Sequence, residues 1–226
     1  MGYPVLVPRR DDNGERDALW GLLKDDLWES EDVYEGYHTT GPFNRSAAIN
    51  SAASEAGIWS CAVVADADTY IDKDRLLQAI DLANDTQKLV IPHSRWVNVE
   101  MGEVDRFMDT KTLQWKKGRD IYALTVSSIL VVPRTVWDIV NGFDERFSGW
   151  GWEDTAFMQA VDVMTDGHIR LEGDVYHLAH DRPAADTNRT LDSGYIRNTN
   201  HYRNLYKRAR TRSEMKRVIN GNRVTL

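Results

Sequence analysis

Short apolar runs alternate with segments of helical periodicity along most of the chain. Residues 5–7 and 58–65 are almost entirely apolar, whereas residues 14–28 and 72–83 place leucine and isoleucine at helical spacing. A strand that is apolar at nearly every position is typical of the centre of a sheet that is covered on both faces. The alternation predicts an α/β fold with a mostly parallel central sheet flanked by helices.

The remaining elements follow from the same pattern, and no internal repeat or low-complexity linker interrupts them. Further strands are predicted at 33–37, 89–91, 127–132, 169–171 and 175–177, and further helices at 43–56, 135–140 and 155–165. Residues 93–120 are polar and predicted to be irregular, with Trp96 and Trp115 as anchors. We expect residues 1–226 to form a single domain with a basic helical tail from about residue 195.

Composition and charge restrict the function classes. The net charge of -7 argues against a general nucleic-acid binder. The single cysteine, Cys61, lies in an apolar run and is predicted to be a buried thiol, which suits a reducing compartment. The apolar runs are far shorter than a membrane span, and a strand-like segment follows Met1 where a signal peptide would need room. These features predict a cytoplasmic protein without a membrane span.

The sequence Gly149-Trp150-Gly151-Trp152-Glu153-Asp154 combines flexible backbone, two indole rings and two adjacent acids. Glycine is entropically costly to order, and two adjacent acids repel each other when buried. The simplest alternative is a surface turn before a helix whose N-terminus favours acids. The functional hypothesis is a loop in which Trp150 or Trp152 stacks on a sugar and Asp154 removes a proton from a hydroxyl.

Two aspartates, Asp66 and Asp68, follow the predicted central strand directly. Ligands of open α/β sheets bind outside the carboxyl ends of the strands, which is where this turn is expected. Paired carboxylates in a tight turn need a hard cation or hydrogen bonds to offset their repulsion. The alternative is a solvated turn that caps the next helix. An EF-hand is excluded because Ile71 and Leu77 stand where that loop needs Gly and Glu.

His177 and His180 lie three residues apart at the end of the last predicted strand. Alone, such a pair is typical of ordinary polar residues. Together with a carboxylate from the Asp66/Asp68 turn, the two imidazoles would suit a divalent transition metal such as manganese.

Basic and aromatic residues near the N-terminus form a further candidate group. Phe43 and Arg45 open a small-residue helix, and their side chains would suit a nucleotide base and a diphosphate. Arg9 and Arg10 follow the first strand and would also contact a nucleotide. The alternatives are a helix start with a surface arginine and a solvated charged loop.

Four motifs, in order along the chain, resemble those of metal-dependent glycosyltransferases of the GT-A fold, most closely the inverting β-1,4-galactosyltransferase group. They span about residues 4–181, and the last is the most specific. They are Val7-Pro8-Arg9-Arg10, Phe43-Asn44-Arg45 with Asn50, the DxD element Asp66-Ala67-Asp68, and the Gly-Phe-Asp to Trp-Gly-x-Glu-Asp segment from Asn141 to Asp154.

The resemblance implies a role for each matching residue. It implies that Asp68 and His180 bind Mn²⁺ or Mg²⁺. His177 stands where vertebrate members of the group have a Met ligand, so it is implied as a further ligand. It implies that Glu153 holds substrate hydroxyls and that Asp154 is the catalytic base. The residues implied to bind the nucleotide sugar are Pro8, Arg9, Arg10, Phe43, Arg45, Asp66 and Trp150.

Two departures from the family pattern leave the donor sugar open. Trp152 replaces the usual small or polar residue, and the tract between Asp68 and Asn141 is only loosely similar. Retaining N-acetylgalactosaminyltransferases share Gly-Phe-Asp but usually have Asn where this chain has Asp154, which favours inversion. A non-catalytic carbohydrate-binding module would account for the tryptophans alone. A sugar-nucleotidyltransferase would need a Gly-rich loop after the first strand.

The resemblance therefore predicts a hexosyltransferase that uses a nucleotide-sugar donor, with a UDP-sugar favoured. The acceptor would be a hydroxyl of a glycan, a protein or another molecule, and nucleic acid only if it is that acceptor. The lack of an anchor differs from Golgi relatives and suggests a bacterial or phage enzyme. The basic tail is expected to be a solvated helix, or else to hold an anionic acceptor, a membrane surface or a partner subunit.

Overall fold

The computed structural model describes residues 3–180 and 193–221, which contain strands β1 to β10 and helices α1 to α8. The strands are β1 (Pro4–Arg9), β2 (Asp32–Tyr37), β3 (Cys61–Ala65), β4 (Thr69–Ile71), β5 (Val90–Ile91), β6 (Arg95–Val99), β7 (Ile121–Ala123), β8 (Ile129–Pro133), β9 (Ile169–Arg170) and β10 (Asp174–Leu178). The helices are α1 (Glu15–Asp26), α2 (Arg45–Glu55), α3 (Lys73–Thr86), α4 (Val104–Thr110), α5 (Arg134–Val140), α6 (Glu153–Met164), α7 (Ser193–His201) and α8 (Arg212–Asn220).

The strands form two sheets. A six-stranded sheet has the order β2-β1-β3-β8-β5-β9, and a four-stranded sheet has the order β4-β10-β6-β7. The two sheets meet where β3 ends, because only the turn at residues 66–68 separates β3 in the first sheet from β4 in the second. The α/β fold predicted from the sequence is confirmed.

The larger sheet is mixed and not strictly parallel, although three of its five strand pairings are parallel, as predicted. β1 pairs in parallel with β2 and β3, but β8 is antiparallel to both β3 and β5. The chain reaches β8 from β6 and β7 in the smaller sheet, which begins beyond the carboxyl end of β3. It therefore enters the larger sheet from that end and must run opposite to β3. A hydrogen bond from the Asp66 amide to the Ser128 carbonyl (2.9 Å) marks this entry.

The tract at residues 93–120 is more ordered than predicted. It contains β6, a 3-10 turn at Met101–Glu103 and α4. β6 pairs with β10 on one side and with β7 on the other. These pairings stabilise the strand, although its polar sequence does not predict one. Trp96 is half-buried on β6, whereas Trp115 is exposed and anchors no core. Cys61 is buried, as predicted.

β3 is buried on both faces and separates two apolar clusters. Ala62 and Val64 face one cluster, and Cys61, Val63 and Ala65 face the other. Because both faces are packed, β3 is a rigid support for the two aspartates that follow it. Among the described residues, no helix is both long and apolar enough to cross a membrane.

Gly36 on β2 lets the backbone of α2 pack directly on the sheet. A Cβ atom at this position would lie 1.8 Å from the carbonyl oxygen of Ala48. The first residue of α2 is Arg45, so this close approach fixes the helix that carries Arg45.

We expect Gly36→Ala to destabilise the protein, because the new methyl group must displace the α2 backbone. The free energy of unfolding should fall by roughly 1–3 kcal/mol, as in other overpacked cores. Urea denaturation monitored by circular dichroism measures this loss. Gly21→Ala on α1 is the matched control, since no atom lies within 4 Å of the place that its new methyl group would occupy and helix propensity favours alanine. Equal stability of the two variants would contradict the proposed close approach.

Candidate active site

The turn between β3 and β4 presents the carboxylates of Asp66 and Asp68 at the junction of the two sheets. Ala67, between them, is buried. The Leu178 amide donates a 2.8 Å hydrogen bond to the Asp68 carbonyl, which fastens the turn to the end of β10. Main-chain hydrogen bonds from both sheets therefore fix the backbone of the turn that carries the two carboxylates. The turn lies at the end of β3, where the sequence predicted it.

Asp68, His177 and His180 come together as a candidate metal group. Their ligand atoms all lie within 4.8 Å of one another. Nε2 of His180 is 3.0 Å from Oδ2 of Asp68, and Nε2 of His177 is 3.9 Å from the same oxygen. Nδ1 of His177 is 3.1 Å from Oδ1 of Asn98. Donation by this Nδ1–H leaves Nε2 as the lone-pair nitrogen toward Asp68.

The chemistry of this group fits a divalent transition metal. Two imidazoles and one carboxylate suit a divalent transition metal, whereas magnesium prefers oxygen ligands alone. Burial raises the pKa of Asp68, but the hydrogen bond with His180 and attraction to Arg16, and to His177 and His180 when these are protonated, lower it by more, so the net shift is downward. Asp68 is therefore in the ionised form that a metal requires.

Arg45 connects the turn to the tryptophan-rich loop. Its Nε and Nη2 atoms donate to Oδ1 of Asp66 at 2.9 and 2.7 Å, and its Nη1 donates to Oδ1 of Asp154. Nη1 also lies 4.0 Å from Oε1 of Glu153. The N-cap residue Asn44 holds this end of α2, because its side chain accepts from the Ala47 amide and donates to the Glu145 carbonyl. Two sequence-predicted halves of the site therefore meet at one guanidinium group.

The carboxylates around Arg45 outnumber the cations. In the described part of the chain, Asp66, Asp68, Glu153 and Asp154 form ion pairs with the guanidinium groups of Arg45 and Arg16, which leaves a formal charge of −2 when all four acids are ionised and the histidines are neutral. A single divalent cation would balance that charge.

Burial and repulsion between the acids raise the pKa values of two of them. Burial raises the pKa of Asp154 and of Glu153, and neighbouring carboxylates add to it despite the opposing charge of Arg45. The buried Oε2 atom of Glu153 has no hydrogen-bond partner within the described chain.

The two tryptophans of the loop have different surroundings. The Trp150 ring is 42% exposed and lies 5.4 Å from the Tyr195 ring. Trp152 stacks on Tyr202 at 4.7 Å and takes the left-handed conformation (φ +79°) just before α6. Trp152 therefore joins the loop to the C-terminal segment, whereas the Trp150 ring is partly exposed.

The C-terminal segment braces this loop, which the sequence did not predict. Asn198 on α7 is fully buried and donates to the carbonyls of Ser148 and Trp150. Asp144, of the Gly-Phe-Asp motif, accepts from Tyr206 and lies 2.9 Å from Nε2 of His201. The predicted helical tail is present as α7, a π-helical turn at Tyr202–Tyr206 and α8, and residues 222–226 lie outside the described chain.

The other predicted nucleotide-binding residues lie around β1 and the start of α2. Pro8 is buried in β1. Arg9 is paired with Asp11 and Asp17, both at 2.8 Å. The described contacts do not join Arg9 to the metal group.

Arg10, which directly follows β1, lies beside Phe43 on the loop before α2. Arg10 donates to the carbonyls of His38 and Gly41, and its guanidinium lies over the Phe43 ring at 5.5 Å. The Gly149 amide donates to the Phe43 carbonyl at 2.7 Å, so this pair borders the tryptophan loop.

Arg16 is a site residue that sequence reasoning missed. Its Nη2 lies 3.4 Å from Nε2 of His180, and its Nε lies 4.0 Å from Oδ2 of Asp68. Residues 14–28 read only as an amphipathic helix, in which an arginine at an outward position is unremarkable. The contact depends on the long-range approach of α1 to β10, so no local pattern signals it.

Replacing His180 by alanine should weaken Mn²⁺ binding by at least about tenfold, because a ligand and its orienting contacts are lost together. Electron paramagnetic resonance of free Mn²⁺ gives the dissociation constant. His168→Ala is the control, since His168 pairs with Asp162 away from the metal group. Unchanged Mn²⁺ affinity in the His180 variant would rule out this metal site.

Comparisons with known proteins bear on this site. Residues 111–181 match the family model described as the N-terminal domain of galactosyltransferase. The segment contains the tryptophan loop, both acids that follow it and the two histidines of the metal group. No protein of curated function matches the chain in sequence.

Solved structures similar to the chain are glycosyltransferases. The S. aureus TarS structure with UDP-GlcNAc has a TM-score of 0.51 at 12% identity, covering 83% of this chain and 61% of that one. The catalytic domain of Drosophila β1,4-galactosyltransferase 7 in complex with xylobiose has a TM-score of 0.44 at 19% identity, covering 75% and 64%. This chain thus spans less than two thirds of either structure.

The TarS likeness and the family match agree with the resemblance carried by the four motifs. The chain has the GT-A glycosyltransferase fold, and its segment 111–181 is similar to the galactosyltransferase family.

Proposed function

We propose that this protein is a metal-dependent inverting glycosyltransferase that moves a sugar from a UDP-sugar to an acceptor hydroxyl. The observation that carries the proposal is the bridge made by Arg45, which contacts Asp66 of the DxD turn and Asp154 of the tryptophan loop. Arg45 thereby connects the candidate base, Asp154, to the turn that also carries Asp68 of the candidate metal group. An inverting displacement needs these two sides on opposite faces of one sugar.

The metal side would bind the leaving group. Asp68, His177 and His180 would hold Mn²⁺, which when bound neutralises negative charge on the leaving diphosphate. Arg45 supplies a second cation beside Asp66, fixed at the N-terminus of α2. Arg10 and Phe43, which lie together beside the tryptophan loop, would contact the nucleotide. Arg9 and Pro8 support this edge from β1.

The acid pair would act on the acceptor. Asp154 takes the proton of the acceptor hydroxyl while that oxygen attacks the anomeric carbon, and the bond from this carbon to the diphosphate oxygen breaks. The electron pair leaves with the nucleotide diphosphate. The raised pKa of Asp154 increases its basicity once the carboxylate has lost its proton. Glu153 would contribute its Oε2, which has no hydrogen-bond partner among the described residues, as an acceptor for a substrate hydroxyl.

The exposed Trp150 ring suits the face of a sugar, because an indole offers an apolar surface and an N–H. Its loop packs on Tyr195 and is held by Asn198, so the ring is presented at a defined place beside the acid pair. The acceptor would be a hydroxyl of a glycan, a protein or another molecule.

A non-catalytic carbohydrate-binding module fits the structure less well. Such a module needs the Trp150 ring but neither a metal group nor a cluster of four carboxylates, whose burial is costly. Inversion is favoured over retention because residue 154 is an aspartate, which can accept a proton, and not an asparagine.

Asp154→Asn should reduce sugar transfer by at least about a hundredfold, because general-base catalysis contributes that much or more and an amide cannot accept the proton. UDP release from a panel of UDP-sugars measures turnover. Calorimetric titration of UDP at saturating Mn²⁺ should show binding preserved, since Asp154 is assigned to the acceptor.

Asp138→Asn is the matched control, because Asp138 forms an exposed ion pair with Arg134 on α5. Near-normal turnover in the Asp154 variant would refute the base assignment. Loss of UDP binding in that variant would instead assign Asp154 to the donor side.

A further inference from the structure

Three arginines, Arg9, Arg10 and Arg16, lie at the N-terminal edge of the site. Two of them already make ion pairs or hydrogen bonds with other groups of the protein. Arg9 is paired with Asp11 and Asp17 and is buried. Arg10 donates to two main-chain carbonyls. Neither guanidinium lies against the metal group in the described chain. Arg45 is shared between Asp66 and Asp154, so a further cation beside the metal group must come from another residue.

Arg16 lies at that place. Its Nη2 and Nε approach His180 and Asp68 at 3.4 and 4.0 Å, and about a third of its side chain is exposed. The Nε atom is buried without a hydrogen-bond partner in the part of the chain that the structure describes. The guanidinium therefore keeps donor capacity that a phosphate oxygen would satisfy.

Two features of the position of Arg16 oppose a cation there, although Asp68 attracts the guanidinium. It lies in the first turn of α1, where the helix dipole disfavours a cation. It also lies beside the ligands of a candidate divalent metal, so its charge repels the ion that the group would bind. A diphosphate bridging metal and guanidinium would turn this repulsion into two attractions.

We propose that Arg16 binds the diphosphate of the donor next to the metal, so that it opposes binding of the metal alone and favours binding of metal and nucleotide together. This inference rests on the proposed function. Guanidinium suits the task because its planar donors match phosphate oxygens in pairs. By linkage, nucleotide should raise Mn²⁺ affinity by the same factor by which Mn²⁺ raises nucleotide affinity.

The test compares Arg16→Gln with wild type in two binding measurements. Mn²⁺ alone is titrated by electron paramagnetic resonance, and UDP is titrated by calorimetry at saturating Mn²⁺. Arg16→Gln should bind Mn²⁺ alone more tightly, by roughly threefold or more, because a nearby like charge is removed. It should bind UDP roughly tenfold more weakly, because a charge-assisted bidentate contact is lost. Opposite shifts from one substitution are the signature of the proposal.

Two further variants make the comparison specific. Lys24→Gln removes a cation from the same helix at a site paired with Glu35, and it should change neither affinity. Arg16→Lys keeps the charge, so it should keep the wild-type Mn²⁺ affinity while recovering only part of the UDP affinity.

Parallel loss of both affinities in Arg16→Gln would show a merely structural role and overturn the inference. Unchanged UDP affinity in that variant would also overturn it. Failure of the wild-type protein itself to bind UDP with Mn²⁺ would instead overturn the proposed function on which the inference rests.

Discussion

The Arg45 guanidinium, shared between Asp66 and Asp154, is the interaction on which the site depends. These two carboxylates come from distant parts of the chain and would repel each other without a cation between them. Desolvation of the cluster is costly, and one guanidinium offsets only part of the charge of four acids. The remaining negative charge would suit a divalent ion, and burial together with the neighbouring carboxylates raises the pKa of Asp154.

The fold serves this arrangement from two sides. β3, packed on both faces, holds the DxD turn, and α2, seated against Gly36, holds Arg45. The antiparallel entry of β8 brings Ser128 against the same turn. From the other side, α7 and the π-helical turn fasten the tryptophan loop through Asn198 and Tyr202. The strands of both sheets thus support the turn of the candidate metal group, and the C-terminal segment supports the tryptophan loop.

Most of this fold was predictable where the signal is local. A continuous apolar run predicted β3 and so the position of Asp66 and Asp68, because a strand buried on both faces is apolar at nearly every position. β4, β6 and β7 were not predicted, because they are short or polar and gain their order from cross-strand pairing. Arg16 and Asn198 were missed for a related reason, since their roles arise only when α1 and α7 pack against distant loops.

Mn²⁺-dependent stabilisation by nucleotide sugars tests the central claim most directly, because it needs no acceptor and no variant. The melting temperature of the protein is measured with a panel of sugar nucleotides, in Mn²⁺ and again in chelator. The account predicts that a UDP-sugar raises the melting temperature in Mn²⁺ and has little effect in chelator, as mass action requires of a ligand that binds the folded state. Equal stabilisation in chelator, or none by any nucleotide sugar in Mn²⁺, would contradict it.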